Sequence, residues 1–257
     1  MKILVTFALE NEFAPWRAMR NFRPGQWGAA DAHFAQIGGA EVGVVLTGVG
    51  PRLAALRSQE ALRTDPESIQ LCVSSGLTGA LKGDYAIGQV LAAKSVRGET
   101  MRDDVEGRTL ECSGALVSFA EESGATLVNR FYTSERAIGT PEEKELLGKI
   151  ADAVDMESFE VLAEAAAAGV PAVAIRAVSD LASESLPLDM NQVFTEKGQV
   201  SVPRVLGQVA RHPAAMPGLM KLGKQSRTAA ESLAQFLDRY VATVAERSTA
   251  LGARSAS

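Results

Sequence analysis

Apolar and polar positions alternate along this chain with two different periods. Short, nearly continuous apolar runs rich in β-branched residues occur at Lys2–Ala8, Val42–Thr47, Ile69–Ser74, Gln89–Val96, Leu127–Thr133 and Pro171–Val178, with a shorter one at Ala153–Met156. This is the pattern of strands buried on both faces. Between them the spacing turns helical over Glu10–Met19, over Arg52–Arg63 after Pro51 at the first helical position, and over Pro141–Ile150. The last of these opens with a capping threonine, a proline and two acids, Thr140-Pro141-Glu142-Glu143. Glu157–Ala168 is an alanine-rich helix that Gly169 ends. Gly76, Gly79 and Gly83 punctuate a segment read as a loop after the third strand. Strands alternating with helices predict an α/β fold, a sheet covered on both faces.

The pattern changes near Leu186. From Ser201 to Arg227 the chain holds Arg204, Arg211, Lys221, Lys224 and Arg227 and no acid, so this segment carries +5 and the remainder −10. Pro203, Pro213 and Pro217 are expected to break it into short helices. Leu233, Phe236, Leu237, Tyr240, Val241 and Val244 then share one face of a final helix. That face is expected to pack on its own core or on a second subunit. The alternative for 201–227 is a peripheral contact with a membrane surface. The expected organisation is a catalytic domain over 1–185, a helical extension of the same domain over 186–247, and a disordered tail over 248–257.

Composition narrows the class of function. The chain has 257 residues, 46% hydrophobic and 22% charged, which suits one large folded core. Its longest weakly polar stretch, Val161–Val178, is interrupted by Glu164, Gly169, Pro171 and Arg176 and falls short of the ~20 apolar residues of a membrane span. The first residues lack a signal-peptide pattern, and a cytoplasmic location is expected. Cys72 and Cys112 fall in segments read as strands and are expected to be buried, reduced thiols. With His33 and His212 the only imidazoles and no metal-ligand spacing, neither a zinc site nor a histidine-based triad is indicated. No metal and no organic cofactor is expected. A net charge of −5 offers no footprint for nucleic acid, so a small molecule is the expected partner.

Some motifs carry little. Gly48-Val49-Gly50 opens like a dinucleotide fingerprint, but Leu53 stands where its third glycine belongs. Asp103-Asp104 lies in a polar stretch and reads as a solvated loop. Three acids are more informative. Glu12, Glu157 and Asp180 each follow a predicted strand, at the sheet edge where α/β proteins bind ligands. Taken singly, each has an ordinary reading as a first-turn or capping carboxylate. Jointly they describe carboxylates converging on one cleft.

The segments MKILVTFALENE (1–12), TGVGP (47–51), SSGLTGALKGD (74–84), VDMES (154–158) and RAVSD (176–180) resemble the 5'-methylthioadenosine/S-adenosylhomocysteine nucleosidases of the purine nucleoside phosphorylase superfamily. The likeness runs in matching order over about residues 1–185. It implies a three-layer α/β/α sandwich around a mixed sheet, assembled as a homo-oligomer, that cleaves the N-glycosidic bond of a purine nucleoside. By position Asp180 matches the acid that protonates the leaving purine, with Ser179 holding its carboxyl. Glu157 matches the carboxylate on the ribose hydroxyls, and Met156 packs on the sugar. Glu12 matches the base for the attacking water, with Arg176 nearby. Leu9 and Val49 line the pocket for the 5' substituent, Gly76 belongs to the substrate-side glycine motif, and Ala137 or Ile138 stands near the family's purine-stacking aromatic.

The chain departs from the family pattern at Leu77-Thr78-Gly79-Ala80, where Ser-Ala-Gly-Gly is usual, and at Asp155, where a longer acid is usual. Superfamily phosphorylases carry phosphate-binding arginines at places that here hold Glu12 and Ser74. A carboxylate repels phosphate but serves water as a base, which favours hydrolysis. The C-terminal extension is similar to that of hopanoid-associated phosphorylases, which makes phosphorolysis of a lipid-linked adenosine the main alternative, with Arg17, Arg52 or Arg176 as phosphate ligand. A non-catalytic nucleoside-binding module is the second.

Overall fold

The computed structural model describes residues 1–64, 69–99 and 108–255, and the Asp103-Asp104 pair lies outside the described residues. In chain order the elements are β1 (Lys2–Phe7), α1 (Glu10–Arg20), β2 (Arg23–Trp27), β3 (Ala30–Ile37), β4 (Ala40–Leu46), α2 (Pro51–Thr64), β5 (Ile69–Ala80), β6 (Val90–Gly98), β7 (Thr109–Glu111), α3 (Gly114–Glu122), β8 (Thr126–Thr133), α4 (Pro141–Gly148), β9 (Ala153–Asp155), α5 (Ser158–Ala167), β10 (Ala172–Asp180), α6 (Val202–Arg211) and α7 (Met216–Ser255). Helices α1, α3 and α7 cover one face of the sheet, and α2 with α5 the other. The three layers are those the resemblance implies.

The sheet is mixed. β1 lies parallel between β4 and β5, while β3 and β2 extend the far edge antiparallel. Beyond β5 the sheet closes on itself. β5 pairs with both β10 and β9, and β6 and β8 complete a ring β5-β10-β6-β8-β9. The predicted loop from Gly76 is therefore corrected: β5 runs on to Ala80, because Arg176 to Val178 and Asp180 of β10 pair with Gly76 to Gly79 on one side and β9 pairs with Gly79 and Ala80 on the other. β9 runs antiparallel to the overshooting end of β5 and parallel to β8, and Glu157 follows its end.

Two further expectations change. Cys112 follows β7 instead of lying in a strand, although both thiols are buried and free. Pro217 does not break a helix but sits at the second position of α7, where a missing N–H costs no intrahelical bond. The apolar face of α7 packs inward as predicted. Leu233, Phe236, Leu237, Tyr240, Val241 and Val244 are buried, the Tyr240 hydroxyl donates to the Leu116 carbonyl, and Asp238 pairs with Arg20 of α1. No helix among the described residues is long and apolar enough to cross a membrane.

Candidate active site

Arg176 forms the floor of the site. It lies mid-β10, only 1% exposed, opposite Gly76 of β5. Its Nε donates to Asp155 Oδ2 at 3.1 Å, one Nη donates to Ser74 Oγ at 3.2 Å, and Glu157 Oε2 stands 3.7 Å away. A buried guanidinium needs such partners, since an unpaired charge costs far more than it returns. Gly76 makes the approach of Arg176 and Glu12 feasible. Its φ is +144°, and a Cβ there would stand 2.9 Å from Arg176 Nη1 and 3.2 Å from Glu12 Oε2. Any side chain at this position would push the two charged groups apart.

Glu12 occupies the third position of α1, from which a glutamate reaches back over its own helix start. It accepts the N–H groups of Ala8 and Leu9 at 3.1 Å each and that of Leu77 at 3.3 Å. Burial nevertheless raises its pKa above the ordinary carboxylate range, against the pull of Arg176 and of those three N–H donors. Glu157 stands at the N-cap position of α5, but its side chain turns from the helix and accepts the Gly50 N–H at 3.0 Å. Burial pushes its carboxyl up to about 7, with Arg176 opposing and the neighbouring acids Asp155 and Glu12 adding to the rise. Asp155, the shorter acid of the motif, has a positioning task. It accepts Thr133 Oγ1 at 2.7 Å and the N–H groups of Glu157 and Ser158 at 3.2 and 3.1 Å, which aims the start of α5 at the cavity.

Asp180 ends β10 on the opposite wall. Ser179 Oγ donates to its Oδ2 at 3.0 Å. The other oxygen meets a group that the sequence did not reveal: Lys144 Nζ of α4, 2.5 Å from Oδ1. Lys144 is fully buried.

These elements enclose a cavity of about 210 Å³. Of the sequence-predicted residues, Leu9, Glu12, Val49, Ile138, Met156, Glu157, Ser179 and Asp180 line it, as does Ala137, while Arg176 and Gly76 lie directly behind Glu12. The extension contributes residues that sequence reasoning missed: Leu186, Met190, Phe194, Leu222 and Ser226. Phe194 is the one aromatic among the described lining residues, whereas the aromatic sought near Ala137 or Ile138 is absent there. The extension is fastened to that segment by Asn191, whose Oδ1 accepts the Ala137 N–H at 2.8 Å, and by the Leu186 N–H donating to the Gly139 carbonyl at 2.8 Å. Outside Ala8 and Leu9 a wider groove of about 870 Å³ continues past Thr47, Leu53 and Lys197.

The protein is thus a three-layer α/β/α sandwich with a carboxylate-lined, largely apolar cavity at the ends of β5, β9 and β10. A family model described as the phosphorylase superfamily matches residues 2–211, and the chain belongs to that superfamily. The fold is shared with solved structures of low sequence identity. One is a futalosine hydrolase mutant of Helicobacter pylori strain 26695, at 19% identity and TM-score 0.71, covering 94% of this chain and 98% of that one. Another is the 5'-methylthioadenosine/S-adenosylhomocysteine nucleosidase of Helicobacter pylori with butyl-thio-DADMe-Immucillin-A, at 20% identity and TM-score 0.72, covering 94% and 97%. The corresponding nucleosidase from S. pneumoniae matches at 18% identity and TM-score 0.71, covering 95% and 100%.

Proposed function

We propose that this protein is a purine nucleosidase that hydrolyses the N-glycosidic bond of a 5'-modified adenosine, such as 5'-methylthioadenosine or S-adenosylhomocysteine, and releases adenine. The observation that carries this reading is the convergence of Glu12, Glu157 and Asp180 on one cavity. Breaking a glycosidic bond leaves negative charge on the base and positive charge on the sugar. Catalysis therefore calls for a proton donor at the base, a carboxylate beside the sugar and a base for the nucleophile. Asp180, steered by Ser179, gives its proton to the imidazole-ring nitrogen of the purine as the C–N bond pair passes to the base. Glu157 binds the ribose hydroxyls near the developing cation, with Met156 against the sugar. Glu12 orients a water and takes its proton as the oxygen bonds to the sugar carbon. Leu9 and Val49 leave an apolar exit for the 5' substituent toward the wider groove.

The placement of the arginines supports water over phosphate. Arg136 is the arginine that lines the cavity among the described residues, and it is paired with Glu143 at 2.6 Å. Arg176 is engaged by Asp155 and Ser74, Arg17 pairs with Glu10 at the surface, and Arg52 lines a separate groove with Glu135 and Glu160. A phosphate dianion would face Glu12 and Glu157, and among the described residues no uncommitted arginine lines the cavity to hold it. The structural relatives named as nucleosidases, one of them with an immucillin, support the same substrate class. The test is adenine release from 5'-methylthioadenosine and from S-adenosylhomocysteine by the purified protein in phosphate-free buffer. Turnover of either supports the reading, and adenine released only after phosphate is added overturns it.

A further inference from the structure

Lys144 has an unusual environment for a lysine. It stands in the run Glu142-Glu143-Lys144-Glu145 of α4, yet it is fully buried. Its Nζ has three acceptors: Asp180 Oδ1 at 2.5 Å, the Leu181 carbonyl at 2.8 Å and the Glu184 carbonyl at 3.0 Å. Three acceptors match the three protons of an ammonium, so the site is built for the charged form. Its neighbourhood is also fixed from two sides. Thr140 and Glu143 form a capping box that sets the start of α4. The 181–184 turn is held by the Leu181 N–H on Glu184, whose carboxylate is in turn taken by Lys221 and Gln225 of α7.

We infer that Lys144 is a positioning residue for Asp180, fixing the rotamer of its carboxyl and supplying the cation that faces the carboxylate left when Asp180 gives its proton to the departing base. The inference rests on the nucleosidase reading for its chemistry. In that step the proton leaves the Asp180 carboxyl for the base nitrogen, the C–N electron pair goes to the base, and Lys144 keeps its own protons and charge throughout. An ammonium fixed beside the new carboxylate stabilises the transition state more than the neutral acid, which is the condition for accelerating the step. The other charged groups around the pair do not cancel it. Glu184 is engaged by Lys221, and Glu12, Glu157 and Arg176 form their own cluster across the cavity.

Two measurements test this. The first is a double-mutant cycle on adenine release from 5'-methylthioadenosine with wild type, K144M, D180N and the double variant. K144M is expected to lower kcat by about 10- to 1,000-fold with KM changed less than about threefold, and to add little to D180N. A kcat for K144M within about threefold of wild type, or losses that multiply in the double variant, would overturn the assignment. Should K144M fail to fold, K144Q keeps a donor for the two carbonyls while removing the charge, and the same losses are expected. The second measurement needs no turnover, so it separates this inference from the nucleosidase reading. The ¹³C signal of the Asp180 carboxyl, assigned by its loss in D180N, is compared at one pH in wild type and in the lysine variant. Removing the ammonium from Oδ1 is expected to move this signal by more than its linewidth, and an unchanged signal contradicts the inference.

Discussion

The two walls of the cavity treat buried carboxylates in opposite ways. On one wall Glu12, Asp155 and Glu157 crowd around the single guanidinium of Arg176. On the other, Asp180 has the ammonium of Lys144 to itself. With more acids than cations, the first wall cannot ionise fully without repulsion, and burial lifts Glu12 upward and Glu157 to about 7. With one acid per cation, the second wall is balanced. The contrast teaches that a buried carboxylate can be held in two ways: three acids share one guanidinium on the crowded wall, and a single ammonium is fixed against Asp180 on the other.

The largest effect expected is on turnover. Asp180→Asn removes the balanced acid and should lower kcat by about 10²- to 10⁴-fold, read as adenine release with substrate binding retained. Glu12→Gln on the crowded wall should cost a similar factor. A loss confined to one of the two walls would break the comparison. Next comes the guanidinium that the crowded wall shares. Arg176→Met leaves Asp155 buried without its cation and should destabilise the fold by about 3–5 kcal/mol in urea unfolding. A change under about 1 kcal/mol would show that the cluster does not depend on it.

A smaller effect is a matter of pH. The folded value of Glu157, about 7, lies above the ordinary 4.5, so the folded state holds this proton more tightly than the unfolded chain. Its contribution to stability is fully present below the unfolded value and is lost as pH rises through the folded one, about 3 kcal/mol in all. Measured against Glu157→Gln, the wild type should lose stability between pH 4.5 and 7, and parallel curves would contradict the crowding. The smallest effect concerns Phe194, which touches neither wall's charges. Phe194→Ala should raise KM about tenfold with kcat little changed, the size of one lost apolar contact.

Much of this arrangement was legible in the sequence. The apolar runs placed β1, β4, β6, β8 and β10 within a few residues, and the ordered motifs placed Glu12, Glu157 and Asp180 around one cleft. The end of β5 was misread because glycines at 76, 79 and 83 look like a loop when the strands that pair with them are far away in the chain. The β2–β3 hairpin lacks a strong apolar alternation, since most of β2 is exposed. Lys144 was hidden for a different reason. A lysine among three glutamates has the sequence signature of a solvated helix face, and only the packing of α4 on the 181–184 turn buries it. Leu222 comes from the 201–227 segment, whose composition announced basic surface and not a pocket wall, and Phe194 from the irregular stretch just before it. In each case the missing information is a long-range contact.

The central claim is that the crowded wall activates water. It is tested most directly by running one turnover of 5'-methylthioadenosine in H₂¹⁸O without phosphate and analysing the sugar product by mass spectrometry. The account predicts free methylthioribose carrying one ¹⁸O at the former glycosidic carbon, with adenine and the 5' group unlabelled. Formation of a sugar 1-phosphate, and only when phosphate is supplied, would contradict it.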